Sequence, residues 1–115
     1  MSGSYRTRAA LLSAPGRLSV EEVTFEGPEP GQVLLEVAAA GVCHTDMHVY
    51  DSPDGRGWGF PMILGHEGSG VVQAVGEGVA HLQVGDNVAV GCRVPCGVCA
   101  LCRRGDTRRC MASSA

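Results

Sequence analysis

The sequence predicts a mainly β domain that carries short helices and one metal-binding loop. Seventeen glycines and six prolines are scattered along the 115 residues without a repeat, a pattern typical of short strands joined by tight turns. The apolar residues occur in short runs that suit strands and do not suit long helices. Four cysteines fall within 15 residues near the end of the chain, and their density predicts the metal-binding loop.

A hairpin is predicted first, because Ser13-Ala14-Pro15-Gly16 supplies turn chemistry between two apolar segments. A well-buried strand is expected where Val33, Leu34, Leu35 and Val37 form an apolar run. Two more strands flank the turn Gly76-Glu77-Gly78. The predicted strands cover residues 5–12, 17–25, 32–42, 68–75 and 84–91.

One short helix is predicted from Cys43 to about Tyr50. On a helix, residues one and four positions apart lie on neighbouring faces, so Cys43 or His44 comes near His48. Residues 51–61 form a loop rich in Gly, Pro and Asp. Trp58 in that loop is expected to cover the core. A place in a pocket wall is the alternative, because the loop links two candidate metal-ligand segments.

Composition and charge exclude several function classes. The net charge is −3 and all nine basic residues are arginine, so the chain has no general electrostatic footprint for nucleic acid or for an anionic membrane. It contains no apolar stretch of about 18 residues, and the run from Ala9 to Leu12 is too short for a signal peptide. A cytoplasmic protein is therefore predicted. In that compartment six cysteines favour metal binding over disulfides.

The four clustered cysteines predict a closed zinc site within a loop of about residues 92–111. The spacing is Cys96-x2-Cys99-x2-Cys102-x7-Cys110. Tetrahedral zinc binds four thiolates at about 2.3 Å, and short Cys-x2-Cys loops let a chain wrap the ion. Such a site has no open position, so it is predicted to be structural. Neighbouring arginines would offset its net charge of −2, and Cys92 is expected to be a thiol on a strand.

A second group of residues predicts an open zinc site. A cysteine beside a strand is usually a core residue, and a single histidine on a loop is usually a surface residue. Together, however, these residues resemble a zinc site left open for substrate, with neighbouring polar groups holding the ligands. The group comprises Cys43, Thr45, Asp46, His66 and Glu67.

Three ordered motifs then resemble the zinc-dependent medium-chain alcohol dehydrogenases: Gly41-Val42-Cys43-His44-Thr45-Asp46, Gly65-His66-Glu67-Gly68 and the four-cysteine spacing. The resemblance implies a GroES-like, partly open β-barrel over residues 1–115, forming the start of the family's catalytic domain. It implies a catalytic zinc held by Cys43 and His66 with Glu67 nearby, and an Asp46 that orients His66. It places Thr45 and His48 in a proton relay and His44 beside the cofactor pyrophosphate. The structural zinc would be held by Cys96, Cys99, Cys102 and Cys110.

The implied reaction is oxidation of a small alcohol, or reduction of an aldehyde, with hydride passing to NAD or NADP. Zinc would lower the pKa of the alcohol, and the proton would leave through Thr45 towards His48. The sequence departs from the family because it contains no Gly-x-Gly-x-x-Gly, no dinucleotide-binding domain and no third protein ligand for the catalytic zinc. We therefore expect an N-terminal fragment that is inactive alone, with homo-oligomerisation left open for the complete enzyme.

Two other readings remain open from the residues. A stand-alone zinc-binding interaction module would hold only the tetrathiolate metal, whereas an enzyme subunit would hold two zinc ions. Nucleic-acid binding through the arginine-flanked cysteine loop is disfavoured, because the loop has no aromatic residue for base stacking and the chain is net acidic.

Overall fold

The computed structural model describes residues 3–112, so the predicted domain of residues 1–115 extends slightly past it at both ends. Strands β1 (Ser4–Ala14) and β2 (Arg17–Glu26) form the predicted hairpin, with an antiparallel register that runs from Ser4 opposite Glu26 to Leu12 opposite Leu18. Gly16 turns the chain with a φ of 70°, a value that glycine adopts without steric cost.

A further strand, β4 (Met62–Ile63), pairs with the other edge of β1 at Leu11 and Leu12 and completes a sheet of order β2-β1-β4. This strand was not predicted, because two residues carry no measurable periodicity. Its pairing places the following residues, Leu64 and Gly65, beside the start of the first helix. The Leu64 N–H donates to the Ala10 carbonyl over 3.3 Å, which extends the contact by one residue.

The second sheet has the order β3-β5-β6, all antiparallel, with β3 at Val33–Gly41, β5 at Glu67–Val75 and β6 at Asn87–Val90. The β3–β5 register shifts at two irregularities, between Leu34 and Leu35 and between Val37 and Ala39. A Cβ at Gly70 would lie 2.3 Å from the Glu36 carbonyl oxygen, so only glycine permits the strands to approach this closely.

The sixth strand is shorter than the predicted 84–91. Residues preceding Asn87 form a turn in which the Gln83 N–H donates to the Asp86 carboxylate and Gly85 has a φ of 99°. The chain also leaves the ladder after Val90. Turn chemistry therefore outweighed the apolar character of Val84.

The core is small and centres on Leu12 of β1 and Val72 of β5, which are 0% and 1% exposed, together with Val49. The prediction that the third strand is well buried was wrong. Its residues from Glu36 to Gly41 are exposed, and Val37 is 65% exposed. Within residues 3–112 this strand lies at a sheet edge and pairs only with β5, so apolar composition did not imply burial on both faces.

Helix α1 (His44–Asp51) lies where the sequence predicted a helix from Cys43 to about Tyr50. It is tied to the first hairpin by two hydrogen bonds between Tyr50 and Gly16: the Gly16 N–H donates to the Tyr50 carbonyl, and the Tyr50 hydroxyl donates to the Gly16 carbonyl. Two short helical segments, α2 (Ala100–Arg103) and a 3-10 helix at Thr107–Arg109, lie in the cysteine loop and were not predicted. Among the described residues no helix has the length and apolar character that a membrane crossing requires.

Candidate metal centres

The open site begins between the end of β3 and the start of α1. Cys43 is the last extended residue before the helix, with φ −110° and ψ 155°. Its N–H donates to Asp46 Oδ2 over 3.1 Å, and the Asp46 N–H donates to the Cys43 carbonyl over 3.0 Å. This pair of bonds starts the helix and satisfies backbone groups that the first turn leaves without intrahelical partners. It also fixes the backbone position from which the Cys43 side chain projects.

His66 reaches the same place through the β3–β5 pairing. Glu67 opens β5 opposite Gly41, so His66 falls beside the segment that leads into Cys43. Gly65, with a φ of 116°, turns the chain into this position. One ligand atom from each of Cys43, His66 and Glu67 lies within 4.8 Å of the other two. The structure thus brings together the three residues that the sequence assigned to the catalytic zinc.

Asp46 adjoins the histidine as well as the helix start. Its Oδ1 lies 3.5 Å from His66 Nδ1, while its Oδ2 accepts from the Cys43 N–H. The Asp46 side chain is mostly buried and the His66 side chain is about one-third exposed. A carboxylate at one ring nitrogen leaves the other ring nitrogen to bind a metal and raises its basicity. This geometry supports the predicted orienting role of Asp46.

The electrostatics of this group favour a cation. The pKa of the Cys43 thiol is lowered, first by the hydrogen bond from the Thr45 N–H and then by the Thr45 hydroxyl and His66. The pKa of His66 is raised, first by its hydrogen bond with Cys43 and then by the charges of Asp46, Cys43 and Glu67. Thiolate character and converging carboxylates around one imidazole are a donor set that suits zinc.

The predicted relay residues lie close by but are not joined to each other. The Cys43 sulfur and the Thr45 hydroxyl oxygen are 3.6 Å apart. His48 faces a recess lined by Asp51 and Arg56, and its ring meets that of His44 edge-on at a centroid distance of 4.6 Å. Within residues 3–112 no hydrogen bond connects Thr45 to His48. The relay and the His44 contact with a cofactor therefore stay predictions.

A cavity of about 340 Å³ opens beside the ligand set and is lined by residues that include Thr45, His66, Trp58 and Cys92. The expectation that Trp58 covers the core was wrong, because its side chain is 81% exposed and borders this cavity. Cys92 was expected on a strand. It is instead an exposed residue two positions past the end of β6. Gly68 lies opposite Val90, so the end of β6 lies near His66. Continuing this pairing two residues beyond β6 would have predicted that Cys92 lies in the cavity wall.

The four-cysteine cluster forms a separate closed centre. Cys99 caps α2, Cys102 lies inside that helix, and Cys110 follows the 3-10 helix. The four sulfurs of Cys96, Cys99, Cys102 and Cys110 lie within 4.8 Å of one another. Sulfurs at about 2.3 Å from a tetrahedral ion would be about 3.8 Å apart, so small movements suffice to bind zinc. All six cysteines are free, which agrees with the preference for metal over disulfides.

Backbone N–H groups surround these sulfurs. The Cys102 N–H donates to Cys99 Sγ, the Cys96 N–H to Cys110 Sγ, and the N–H groups of Val98 and Cys99 to Cys96 Sγ. The bond from the Cys102 N–H lowers the pKa of Cys99 to about 6, whereas burial raises the pKa of Cys102 to about 12. The low pKa of Cys99 favours a thiolate, whereas Cys102 stays a protonated, buried thiol. Such a donor set fits a cation that displaces the remaining thiol protons when it binds.

Comparison with known proteins identifies relatives of this arrangement. The profile of the alcohol dehydrogenase GroES-like domain matches residues 29–115. The S-(hydroxymethyl)glutathione dehydrogenase of Escherichia coli is 44% identical over 108 residues, which make up 93% of this chain and 29% of that enzyme. The chain thus spans less than one-third of the length of this relative.

Solved structures agree with the sequence relatives. An alcohol dehydrogenase from E. coli CFT073 in complex with NADH is 36% identical, with a TM-score of 0.74 over 98% of this chain and 32% of its own. The cobalt- and zinc-bound thermostable alcohol dehydrogenase from Pyrobaculum aerophilum is 37% identical, with a TM-score of 0.77 over 94% of this chain and 33% of its own. Benzyl alcohol dehydrogenase from Acinetobacter calcoaceticus also gives a TM-score of 0.77, at 35% identity, over 93% of this chain and 29% of its own.

Proposed function

This chain belongs to the alcohol dehydrogenase GroES-like domain family, and from that premise we propose that it supplies the metal-binding part of a zinc- and NAD(P)-dependent alcohol dehydrogenase. The family and the mainly β, GroES-like fold predicted from the sequence are confirmed. The observation that carries the proposal is the convergence of Cys43, His66 and Glu67 within 4.8 Å, with Asp46 beside the histidine. The relatives also favour this function over a stand-alone zinc-binding module.

The two donor sets fit two zinc ions with different roles. Four thiolates complete a tetrahedral shell, so the cysteine cluster fits a structural ion. The Cys43 set offers a thiolate, an imidazole and a carboxylate from the exposed Glu67, and it adjoins a cavity. Such a set leaves room for a substrate oxygen. When bound there, zinc supplies Lewis-acid polarisation of the alcohol or aldehyde oxygen.

The residues around the open site then have distinct tasks. Asp46 holds His66 in the ring orientation that metal binding needs. The Thr45 hydroxyl, beside the Cys43 sulfur and in the cavity wall, would accept the proton that leaves the alcohol. His48 would receive that proton in turn, since imidazole side chains commonly act as proton acceptors and donors near neutral pH. His44 would meet the cofactor pyrophosphate.

The substrate is proposed to be a small alcohol, or the corresponding aldehyde, bound in the cavity between Thr45 and Trp58. Oxidation removes a hydride and a proton from the alcohol. The hydride acceptor is NAD or NADP. Residues 1–115 contain no Gly-x-Gly-x-x-Gly motif to bind it. We therefore propose that this stretch alone does not turn over substrate. We also propose that the protein acts in the cytoplasm, with homo-oligomerisation of the complete enzyme left open.

Metal analysis tests the proposal directly. The purified chain, refolded with zinc, is expected to hold two equivalents, and the Cys43→Ser variant is expected to hold one. Cobalt substitution should give intense thiolate charge-transfer absorption from the four-cysteine site and a weaker band that Cys43→Ser removes. Cys92→Ser is the matched control, because Cys92 lies outside both donor sets. Protein that folds fully with no metal, or a single site unaffected by Cys43→Ser, would contradict the proposal.

A further inference from the structure

Two histidines lie one helical turn apart on the outer face of α1. His44 and His48 are both exposed, and residues four positions apart lie on the same face of a helix. Their rings meet edge-on, with a centroid distance of 4.6 Å and an interplanar angle of 70°. Among the described residues no other two imidazoles are in contact. The helix therefore presents two imidazoles to solvent side by side.

Neither of these imidazoles is engaged by another group of the protein. Within residues 3–112, no side-chain hydrogen bond and no ion pair involves His44 or His48. His66 differs, because its Nδ1 lies 3.5 Å from Asp46 Oδ1. The ring nitrogens of His44 and His48 are therefore open to a ligand that arrives from solvent.

A carboxylate continues the same face of the helix. Asp51 is exposed and follows His48 by three positions, so the two side chains are neighbours on the helix surface. His48 and Asp51 also border one recess, which Arg56 borders as well. The guanidinium of Arg56 opposes a cation there, but the Arg56 N–H lies 3.0 Å from the carboxylate of Asp54. Two carboxylates thus stand against one guanidinium, a balance that favours a cation.

We propose that His44 and His48 chelate a divalent transition metal that prefers imidazole, namely nickel or copper. Two nitrogen ligands completed by oxygen ligands in a tetragonal arrangement are typical of these ions. Imidazole nitrogens lie about 2.0–2.1 Å from a bound metal, so two of them at right angles are about 3 Å apart. Rings with centroids 4.6 Å apart reach that separation by rotation of the side chains. Water and the Asp51 carboxylate supply the oxygen ligands.

This histidine pair is distinct from the two proposed zinc sites. His44 follows Cys43 in sequence, but its ring contacts His48, and neither histidine belongs to the set of Cys43, His66 and Glu67. The pair contains no thiolate, whereas both zinc sites do. It should therefore hold metal more weakly than either of them and release it on dialysis, so the zinc content stays at two equivalents.

A metal ion bound at the pair would inhibit the complete enzyme. In the proposed function His48 accepts the proton that leaves the alcohol, and His44 meets the cofactor pyrophosphate. A ring nitrogen that binds a metal has no lone pair left to accept a proton, and the bound ion occupies the space beside His44. This consequence rests on the proposed function, whereas the binding of the metal does not.

Nickel titration of the zinc-loaded chain tests the site. A Cys92→Ser background removes the exposed thiol that lies outside both zinc sites. One nickel equivalent should bind in calorimetry and should broaden the amide NMR signals of α1 first, because the bound ion is paramagnetic. His44→Ala and His48→Ala should each lower the affinity by about a hundredfold, since the second ligand of a chelating pair acts at a high effective concentration. Alanine favours helix, so α1 should persist in both variants.

His81→Ala is the matched control, because it removes an exposed histidine that contacts no other imidazole among the described residues. It should leave the nickel affinity unchanged. Equal losses in the three single variants, or full affinity in the His44→Ala/His48→Ala double variant, would overturn the proposal. Zinc released in step with nickel uptake, followed with a zinc indicator, would also overturn it, because nickel would then occupy the zinc sites.

The same samples separate this inference from the proposed function. If nickel fails to bind at α1 while two zinc equivalents stay bound, the histidine-pair site is refuted and the proposed function stands. If the chain holds only the zinc of the four-cysteine cluster and nickel still binds in a manner that needs both His44 and His48, the histidine-pair site stands and the proposed function is contradicted.

Discussion

The two metal centres of this domain are built in opposite ways. The four clustered cysteines lie within residues 92–112, here called the cysteine lobe or simply the lobe. They come from 15 consecutive residues, and local turns with backbone N–H groups hold their sulfurs together. Cys43 and His66 are distant in sequence and meet only because β3 pairs with β5 and α1 starts at Cys43. A local centre needs only its own loop, whereas an assembled centre needs the whole scaffold.

The largest effect is expected from Cys102→Ser. Cys102 is a buried thiol at the centre of the lobe, and a hydroxyl is a poor ligand for structural zinc. The lobe should lose its metal and its ordered amide signals, since metal binding and local folding are coupled. The Cys43 centre should keep its metal. Metal stoichiometry and amide NMR spectra measure both outcomes, and loss of both metals would show that the centres depend on each other.

Gly70→Ala should disrupt the Cys43 centre and leave the lobe intact. Its Cβ would lie 2.3 Å from the Glu36 carbonyl oxygen, so β3 and β5 must separate at a cost of about 2–4 kcal/mol. The Cys43 centre should then bind metal poorly while the lobe keeps its zinc. Gly91→Ala is the control, because its Cβ would meet only the Arg93 carbonyl oxygen at 3.9 Å. Urea denaturation and cobalt absorption report the two effects, and equal stability of the two variants would contradict the prediction.

Asp46→Asn tests the group that adjoins His66. Asparagine still accepts the Cys43 N–H and caps the helix, so stability should change little. Loss of the carboxylate charge should lower metal affinity at the Cys43 centre by about 10- to 100-fold and leave the lobe unchanged. Competition with a chromophoric chelator measures each affinity. Asp51→Asn, at the other end of α1, should have no effect; a comparable loss there would refute the orienting role of Asp46.

The lobe should bind zinc more tightly as pH rises. Cys102, with a pKa of about 12, must lose its proton to bind metal, so affinity should increase by up to about tenfold per pH unit through neutrality for each proton released. Below pH 6 the dependence should steepen, because Cys99, with a pKa of about 6, also becomes protonated. Calorimetry in buffers of different ionisation enthalpy counts the protons. No proton release near pH 7 would contradict the assignment of a protonated Cys102.

The smallest effect on folding is expected from Trp58→Ala. The indole is 81% exposed and covers no core, so the free energy of unfolding should change by less than about 0.5 kcal/mol. Any change should appear instead in ligand binding at the cavity, measured by NMR titration with a small alcohol in the zinc-loaded chain. A loss of more than about 2 kcal/mol would contradict the exposed position of Trp58.

The same contrast explains what the sequence could predict. The sequence predicted three features that depend on neighbouring residues: the hairpin of β1 and β2, the start of α1 and the clustering of the four cysteine sulfurs. Pro15-Gly16 in the hairpin turn and the Cys99–Cys102 spacing are examples of such local signals. β4 was missed because its two residues are a strand only through pairing with Leu11 and Leu12. The predicted burial of β3 and the predicted core position of Trp58 were wrong, because burial depends on which other elements pack against a side chain. An open zinc site that includes Cys43 and His66 was predicted from the residue types, but their individual roles as ligands came from the family resemblance, since no local pattern encodes the β3–β5 register.

Asp46 carries a consequence for anyone who wishes to move the Cys43 centre into another protein. One of its oxygens begins a helix and the other faces an imidazole from a different sheet strand. If Cys43 and His66 were transferred without Asp46, the His66 imidazole would be free to rotate. If only the helix were transferred, Asp46 Oδ1 would lack its imidazole partner. The smallest portable unit is therefore the helix turn and the strand entry together, at their native spacing.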